Sequence, residues 1–511
     1  MLKIFAALAV IMAAGASSGA TAPNTSRITR IEVTKSTPDS DGYQTITGVV
    51  HGVIDPREAV VGLASLPKNT AGQYEYASNF EIIRRGDPMG PIPYAVQTRE
   101  GPRELIPVYF RGDPQRTRVI YIDSENRGSA ISKGALGAFL KAHDVNYARV
   151  QWQTGISAGV PDSAQGVGLV IMRDFARLLS AKSGLMLPDA ACAVAGPLPI
   201  GCPDTLHEKL ILGGISQSAW FVNTFIAEGF NVDPVTHQGV FDAAIAVDGI
   251  GNWLAINNIA AARGLTAQTP YVDPNGRPLM RDELLKRPRT DPLYVDIANY
   301  TDYYRLRAGL TASPRRSSGF RRYDFPAMHA ASRGMSAARC NGGVPMQQNP
   351  LGYAPYMRAL VLGMEKQIGV KAARKARSLP DSVSFRLAKT QPPASPGFNP
   401  MPGVFTPVPV VDVNDMPMGG VRFPESRLPL GRPVPPSLPP AVTTSISETC
   451  GNSGGFQPFG RAELDARYGS RERYLGRYDA AIDRLVGEGF LLEEDRAAML
   501  DAAAELYALW P

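Results

Sequence analysis

The segment KLILGGISQSAWFVNTFIAEGF runs from a short apolar stretch through two glycines, Gly213 and Gly214, into Ile-Ser-Gln-Ser and then an amphipathic stretch. A strand that turns sharply into a helix at Ser216 holds that serine in a strained conformation at the sheet's edge, with its hydroxyl presented as a nucleophile. Small residues two positions before and after it, Gly214 and Ser218, let strand and helix approach closely. Glycine is the usual residue at the second of these positions, so Ser218 is a sterically mild departure. The helix N-terminus adds backbone N–H groups and the positive end of a dipole, which suit an oxyanion. An ordinary strand-to-helix turn capped by a serine has the same local pattern, so the rest of the chain has to discriminate.

A serine hydroxyl attacks only when a neighbouring base takes its proton. Five histidines are available: His51, His143, His207, His237 and His329. On a sheet of this kind the acid and then the histidine follow the serine in the chain, which removes the first three. His237 lies close behind the nucleophile helix in a polar loop. His329 follows the strand-like FRRYDF and precedes Ala-Ala-Ser, the position expected for the base. The acid belongs after the preceding strand, LYVDIAN, and Asp302 in ANYTDYYR stands there. Asp296 inside that strand, Asp324 inside the last strand and Asp248 after the strand following the nucleophile helix are its rivals. For the oxyanion, one donor is the N–H of Gln217; the second comes from SENRGSA, where Asn126, Arg127 and Gly128 qualify and Arg127 is preferred.

Six short apolar runs (RVIYID, YARVQWQ, KLILGG, AAIAVDGI, LYVDIAN, FRRYDF) alternate with helix-period segments from about residue 117. Buried strands alternating with helices predict an α/β fold with a mostly parallel, doubly wound sheet. Helices are expected at 133–142, 166–182, 216–228, 301–309 and 354–374. Residues 23–110 read as a β-rich N-terminal region, 111–380 as the core, and 381–511 as a Pro-rich segment followed by amphipathic helices. The insertion at 250–290 has the position of a lid. Proline density from Gln391 to Thr443 suggests an interdomain linker. VDVNDMPMGG begins like a calcium loop, but the twelfth position from Asp412 is Phe423 where a bidentate Glu belongs, so it reads as a turn. Arg315, Arg316, Arg321 and Arg322 ahead of His329 read chiefly as a solvated loop and strand edge, with an approach for an anionic substrate as the other reading.

The N-terminus, MLKIFAALAVIMAAGASSGATA, has one Lys before a short apolar run and then small residues, the pattern of a signal peptide cleaved after Ala22. A secreted or periplasmic protein is expected, with no stable membrane insertion, since no run reaches the roughly 18 apolar residues of a spanning helix. Export makes Cys192, Cys202, Cys340 and Cys450 disulfide candidates, with Cys192–Cys202 and Cys340–Cys450 the economical pairing of three. A formal net charge of +6 on 511 residues is too modest for a nucleic-acid partner. No dinucleotide, Walker or HExxH fingerprint is present, so no cofactor and no metal are expected.

The chain resembles the bacterial family of secreted alpha/beta-hydrolase domain proteins. The likeness is carried by NTAGQYEYASNFEII, the NRG turn, QGVGLVIMRDFARLL, GISQS, NYTDYYR, YDFPAMH, GGVRFPESRLPLG and the tail ARYGSRERYLGRYDAAIDRLVGEGFLLEEDRAAML. It implies an alpha/beta-hydrolase fold, Ser216 as nucleophile, His329 as base, and a Pro-rich segment folded onto the body. Where this chain has Asp302 the family more often has Glu before Tyr-Trp, and Ala219-Trp220 replace Gly-Arg. The expected activity is hydrolysis of small or polymeric carboxylic esters through an acyl-enzyme on Ser216. An amidase or peptidase using the same triad, or an idle fold serving as a binding or envelope protein, are the alternatives.

Overall fold

A computed structural model describes residues 25–85, 92–98, 101–108, 119–156, 159–183, 207–267, 277–312, 319–327, 338–340, 344–346, 350–370, 376–395, 397–398, 400–436 and 453–509. Three long strands, β1 (Arg27–Pro38), β2 (Tyr43–Ile54) and β3 (Tyr74–Arg85), precede a hairpin of β4 (Ile92–Thr98) and β5 (Gly101–Val108). The six apolar runs then form β6 (Val119–Ser124), β7 (Asn146–Val150), β8 (Lys209–Ile215), β9 (Ala243–Val247), β10 (Leu293–Asn299) and β11 (Phe320–Phe325).

These make one nine-stranded sheet in the order β1-β2-β3-β7-β6-β8-β9-β10-β11. The β1/β2, β2/β3 and β3/β7 pairs are antiparallel, and every pair from β7/β6 to β10/β11 is parallel. Every residue of β6 and of β9 is buried, as continuous apolar strands must be when helices cover both faces. Strands β1 to β3 of the β-rich N-terminal region therefore extend the same sheet, while β4 and β5 form a separate ribbon; the alternating pattern of their residues does not report this, because the pairing is non-local.

Helices α1 (Ile131–Ala142), α2 (Val167–Leu179), α3 (Gln217–Ala227), α4 (Ala354–Gln367), α5 (Arg461–Tyr468), α6 (Arg471–Glu488) and α7 (Arg496–Leu509) cover the faces. One core lies under α2 and α3, with Phe175, Phe221 and Phe225. The other lies under α1, α4 and the C-terminal helices, with Leu136, Met357, Tyr478 and Met499. Two expected helices are shorter than their periodicity suggested. The 301–309 stretch breaks at Arg307, φ +62, into single turns at Asp302–Arg305 and Ala308–Leu310. Helix α4 ends at Gln367, with Gly369 at φ +87 just beyond.

The Pro-rich segment is no linker. Phe385, Phe398, Val408, Met416 and Phe423 are buried within it. Val383 donates to Arg322 O at 3.0 Å and accepts from the Asp324 N–H at 2.9 Å, so the segment covers the open edge of β11. Asp412 Oδ1 accepts the N–H groups of Asn414 (2.8 Å) and Met416 (3.1 Å), which makes VDVND an Asx turn. The stretch expected to be a signal peptide lies outside the described residues, as do Cys192, Cys202 and Cys450. Of Cys340 only the backbone is described, in a two-stranded ribbon of β12 (Ala338–Cys340) and β13 (Val344–Met346). Among the described residues no helix is long and apolar enough to cross a membrane.

His207 leads into β8 as a buried structural residue. Its ring Nε2 lies 2.9 Å from Asn146 Nδ2 and its Nδ1 lies 3.2 Å from Leu179 O. Burial pushes its pKa down to about 4, because the neutral ring is the form this site solvates. The unfolded chain protonates first, so this contribution is complete above about pH 6.5 and is lost as pH falls toward 4. Replacing His207 with Gln should remove roughly 2–3 kcal/mol of that acid-side loss of stability, read as the difference between the two proteins' urea-unfolding free energies at pH 7 and pH 4. Parallel pH curves for the two proteins would contradict this.

Candidate active site

Ser216 sits at φ +61, ψ −128, between the last residue of β8 and the first of α3. A side-chain-bearing residue at positive φ costs on the order of 1–3 kcal/mol and persists only where its surroundings over-determine it. They do so here. The Ser216 N–H donates to Val247 O at 2.9 Å, continuing the ladder to β9. A Cβ on Gly213 would lie 1.6 Å from Tyr121 Oη, and one on Gly214 would lie 2.5 Å from Ser218 O. The two glycines thus let β8 approach its neighbour and the helix. Ser218 has a positive role that its departure from glycine did not reveal: its hydroxyl lies 2.8 Å from both the N and the O of Ile215, stapling the elbow across its base.

Beside the elbow is the turn after β6. Asn126 and Ser129 exchange backbone hydrogen bonds of 2.8 and 2.9 Å around Arg127 at φ +50 and Gly128 at φ +78, the signature of a type I′ turn. Asn126 Nδ2 donates to Ile215 O at 3.3 Å, which ties this turn to the residue before the nucleophile. Gly128 N–H is engaged by Gln153 Oε1 at 3.2 Å. Ser216, Gln217, Asn126 and Arg127 all line one cavity of about 720 Å³. Its other walls come from Trp220, Arg305, residues 350–356, Arg358, Glu425, Leu428, Leu430, Phe456 and the C-terminal helices α6 and α7. No described residue of the 250–290 insertion lines it, so the roof is C-terminal and the expected lid lies elsewhere.

The four carboxylates proposed from the sequence separate clearly. Asp296 and Asp324 are both bound by the buried Arg322, at 2.7 Å each. Asp296 also accepts the Ile250 N–H (2.9 Å), and Asp324 accepts Tyr303 Oη (2.5 Å) and the Phe385 N–H (2.8 Å). These two are structural anchors. Asp302 and Asp248 instead lie buried in hydrogen-bond contact with each other. Asp302 Oδ2 accepts the Asn299 N–H at 2.7 Å, while Asn299 Nδ2 donates to Asp248 Oδ1 at 2.5 Å. Burial pushes the Asp248 carboxyl up to about 6, opposed by hydrogen bonds from Asp302 and Asn299 and by the charge of Arg305. Two buried carboxyls in contact hold one proton between them more readily than two negative charges.

None of the four described histidines lines the cavity. His51 contacts Arg30 and Glu32, His143 contacts Glu494, and His237 is exposed at φ +57. His329 lies outside the described residues. The chain is described up to Ala327, whose carbonyl accepts the Tyr300 N–H at 3.0 Å, so the loop carrying Asp302 and the segment leading to His329 are joined by a backbone hydrogen bond. Of the arginine group ahead of His329, Arg315 and Arg316 also fall outside, and Arg322 is no solvated edge residue but the buried ion-pair centre just described. Sequence reasoning missed Arg305, Tyr353 and Glu425 as cavity residues; only their presence in or beside quoted segments such as NYTDYYR and GGVRFPESRLPLG hinted at them. Among the described residues no group of three or more His, Cys, Asp and Glu side chains is arranged to hold a metal ion.

A mostly parallel sheet wrapped by helices, with a serine at positive φ between its central strand and a helix, defines an alpha/beta hydrolase. The chain belongs to the alpha/beta hydrolase domain family, whose profile matches residues 116–501. No curated protein sequence matches it significantly. Among solved structures it is similar to a ferulic acid esterase from Streptomyces cinnamoneus, at 15% identity over 57% of this chain and 76% of that one, TM-score 0.27. It is also similar to mouse alpha/beta hydrolase domain-containing protein 10, at 14% identity over 44% of this chain and 74% of that one, TM-score 0.19.

Removing the staple tests the elbow. Ser218→Ala leaves the buried Ile215 N–H without its hydroxyl partner and should cost about 1–3 kcal/mol of stability. Gly214→Ala should cost more, because it opposes backbone. Chemical denaturation with unchanged midpoints for both variants would show that the elbow does not depend on these contacts.

Proposed function

We propose that this protein is an exported serine hydrolase that cleaves carboxylic esters through an acyl-enzyme on Ser216. The observation that carries this reading is the strained Ser216 opening onto a 720 Å³ cavity. Ser216 Oγ attacks the ester carbonyl carbon while His329 takes the hydroxyl proton. The backbone N–H groups of Gln217 and Arg127 receive the developing oxyanion. Collapse breaks the bond to the alcohol, which leaves with the proton from His329, and Ser216 retains the acyl group. Water then attacks the acyl carbon with His329 again as base, releasing the acid and returning the proton to Ser216.

Asp302 holds the imidazole in its tautomer and stabilises its positive charge. Two observations support it over its rivals: Asp296 and Asp324 are committed to Arg322, and the Tyr300–Ala327 hydrogen bond draws the Asp302 loop toward the histidine segment. Asp248, whose carboxyl is pushed up by burial, is the hydrogen-bond partner of Asp302. The chemistry draws its nucleophile and base from the chain alone, so activity is expected to survive EDTA.

Ser216→Ala and His329→Ala should each abolish most p-nitrophenyl ester hydrolysis, and the double variant should be hardly worse, since nucleophile and base act as one unit. Asp302→Asn should lower kcat by several orders of magnitude, roughly 10⁴-fold. Asp248→Asn should be much milder, because an amide at 248 can still donate to Asp302. Labelling of the wild type by a fluorophosphonate, absent in Ser216→Ala, separates an active hydrolase from an idle fold, and p-nitroanilides assayed in parallel separate esterase from amidase. Full activity in Ser216→Ala would end this reading; a folded Asp248→Asn without activity beside an active Asp302→Asn would move the acid to 248.

A further inference from the structure

Three guanidinium groups and one carboxylate line the Ser216 cavity: Arg127, Arg305, Arg358 and Glu425. Two of the four are already engaged. Arg358 is paired with Asp495, and Glu425 accepts Tyr356 Oη at 3.1 Å and Tyr478 Oη at 2.5 Å. Arg127 is exposed on its turn. Arg358 also keeps one enclosed nitrogen, Nε, without a hydrogen-bond partner among the described residues, and Arg305 keeps two. Arg305 ends the single helical turn that begins at Asp302, and its Nε and Nη1 are enclosed without a hydrogen-bond partner among the described residues. Asp302 and Asp248 are near enough to favour its charge, and Arg127 near enough to oppose it, yet those two nitrogens bond to none of them.

A guanidinium is charged at every physiological pH and carries five donors in a planar fork. Its Nε and Nη1 are closed off, so an occupant of the cavity that Arg305 lines meets the guanidinium through Nη2, and an anion there matches its charge. In this cavity, that anion is supplied by the substrate. We propose that Arg305 is a specificity-determining residue that takes a carboxylate group of the substrate inside the Ser216 cavity, with Arg127 adding attraction from the turn. The inference rests on the reading of Ser216 as the nucleophile and names the class of ester it serves. A monoanion fits better than a phosphate dianion, because Asp302 and Asp248 are near enough to offset part of the same guanidinium's charge. The remainder of the substrate is apolar, since Leu428, Leu430, Phe456, Met499 and Leu506 form much of the remaining wall.

The test compares matched esters with the charge on either side of the scissile bond. On the acyl side these are mono-p-nitrophenyl glutarate and p-nitrophenyl pentanoate; on the alcohol side, 4-carboxyphenyl butyrate and 4-(ethoxycarbonyl)phenyl butyrate. The wild type should favour the anionic member of one pair by tenfold or more in kcat/KM, and Arg305→Met should bring that ratio close to one. If Arg305 only supported Asp302, the variant's rates on both members would fall together and the ratio would persist, which overturns the proposal. Neutral esters turned over with no anionic preference in either pair also overturn it, and leave the hydrolase reading standing. If no ester is cleaved and no fluorophosphonate label is taken up, the hydrolase reading fails, and the anion site is then judged by binding. 5-Phenylpentanoate should raise the melting temperature of the wild type more than 5-phenylpentanol does, and Arg305→Met should lose the difference; no such difference in the wild type refutes the site. Should Arg305→Met not fold, Arg305→Gln serves in both assays.

Discussion

One buried cation organises the end of the sheet on which the site is built. Arg322 is fully enclosed in β11, and an arginine there is tolerable only if its charge is matched. Its register partner on β10 is Asp296, and Asp324 lies two residues along its own strand. Each carboxylate then reaches further: Asp296 to the Ile250 N–H in the chain after β9, Asp324 to Tyr303 beside Asp302 and to Phe385 in the Pro-rich segment. A single guanidinium thereby fixes the exits of β9, β10 and β11 relative to one another. Those exits carry Asp248, Asp302 and the approach to His329, so the spacing of the proposed site is inherited from an ion-pair cluster outside it.

The strained serine depends on a complementary device. Positive φ at Ser216 is held from three sides: the ladder to Val247, the bare glycines facing Tyr121 and Ser218, and the Ser218 hydroxyl beneath Ile215. The turn after β6 is tied in through Asn126, whose amide reaches the same Ile215 carbonyl as Ser218. Ser216 and the neighbouring turn are thus referenced to one peptide group.

What the sequence disclosed is what depends on local pattern. Continuous apolar runs gave six strands, and a glycine doublet before Ile-Ser marked the elbow, since no other residue fits where the Tyr121 hydroxyl and the Ser218 carbonyl stand. What it withheld depends on distant contacts. The antiparallel β3/β7 pairing that joins the N-terminal strands to the core, the docking of Val383 along β11 and the C-terminal roof over Ser216 have no local signature. Helix period overran at Arg307 and Gly369, where backbone conformation rather than hydrophobic spacing ends the helix. The choice between Asp302 and Asp248 was hard from spacing alone, and the structure shows why: the two carboxyls touch.

The cavity's walls come from widely separated parts of the described chain, from Asn126 to Leu506. A growing polypeptide presents the elbow early, but the chamber in front of it exists only after the last helix has packed down. Chemistry and containment are therefore separated in time during synthesis. A chain interrupted between α3 and α7 would leave Ser216 facing open water, so containment at the elbow waits on a helix made long after it.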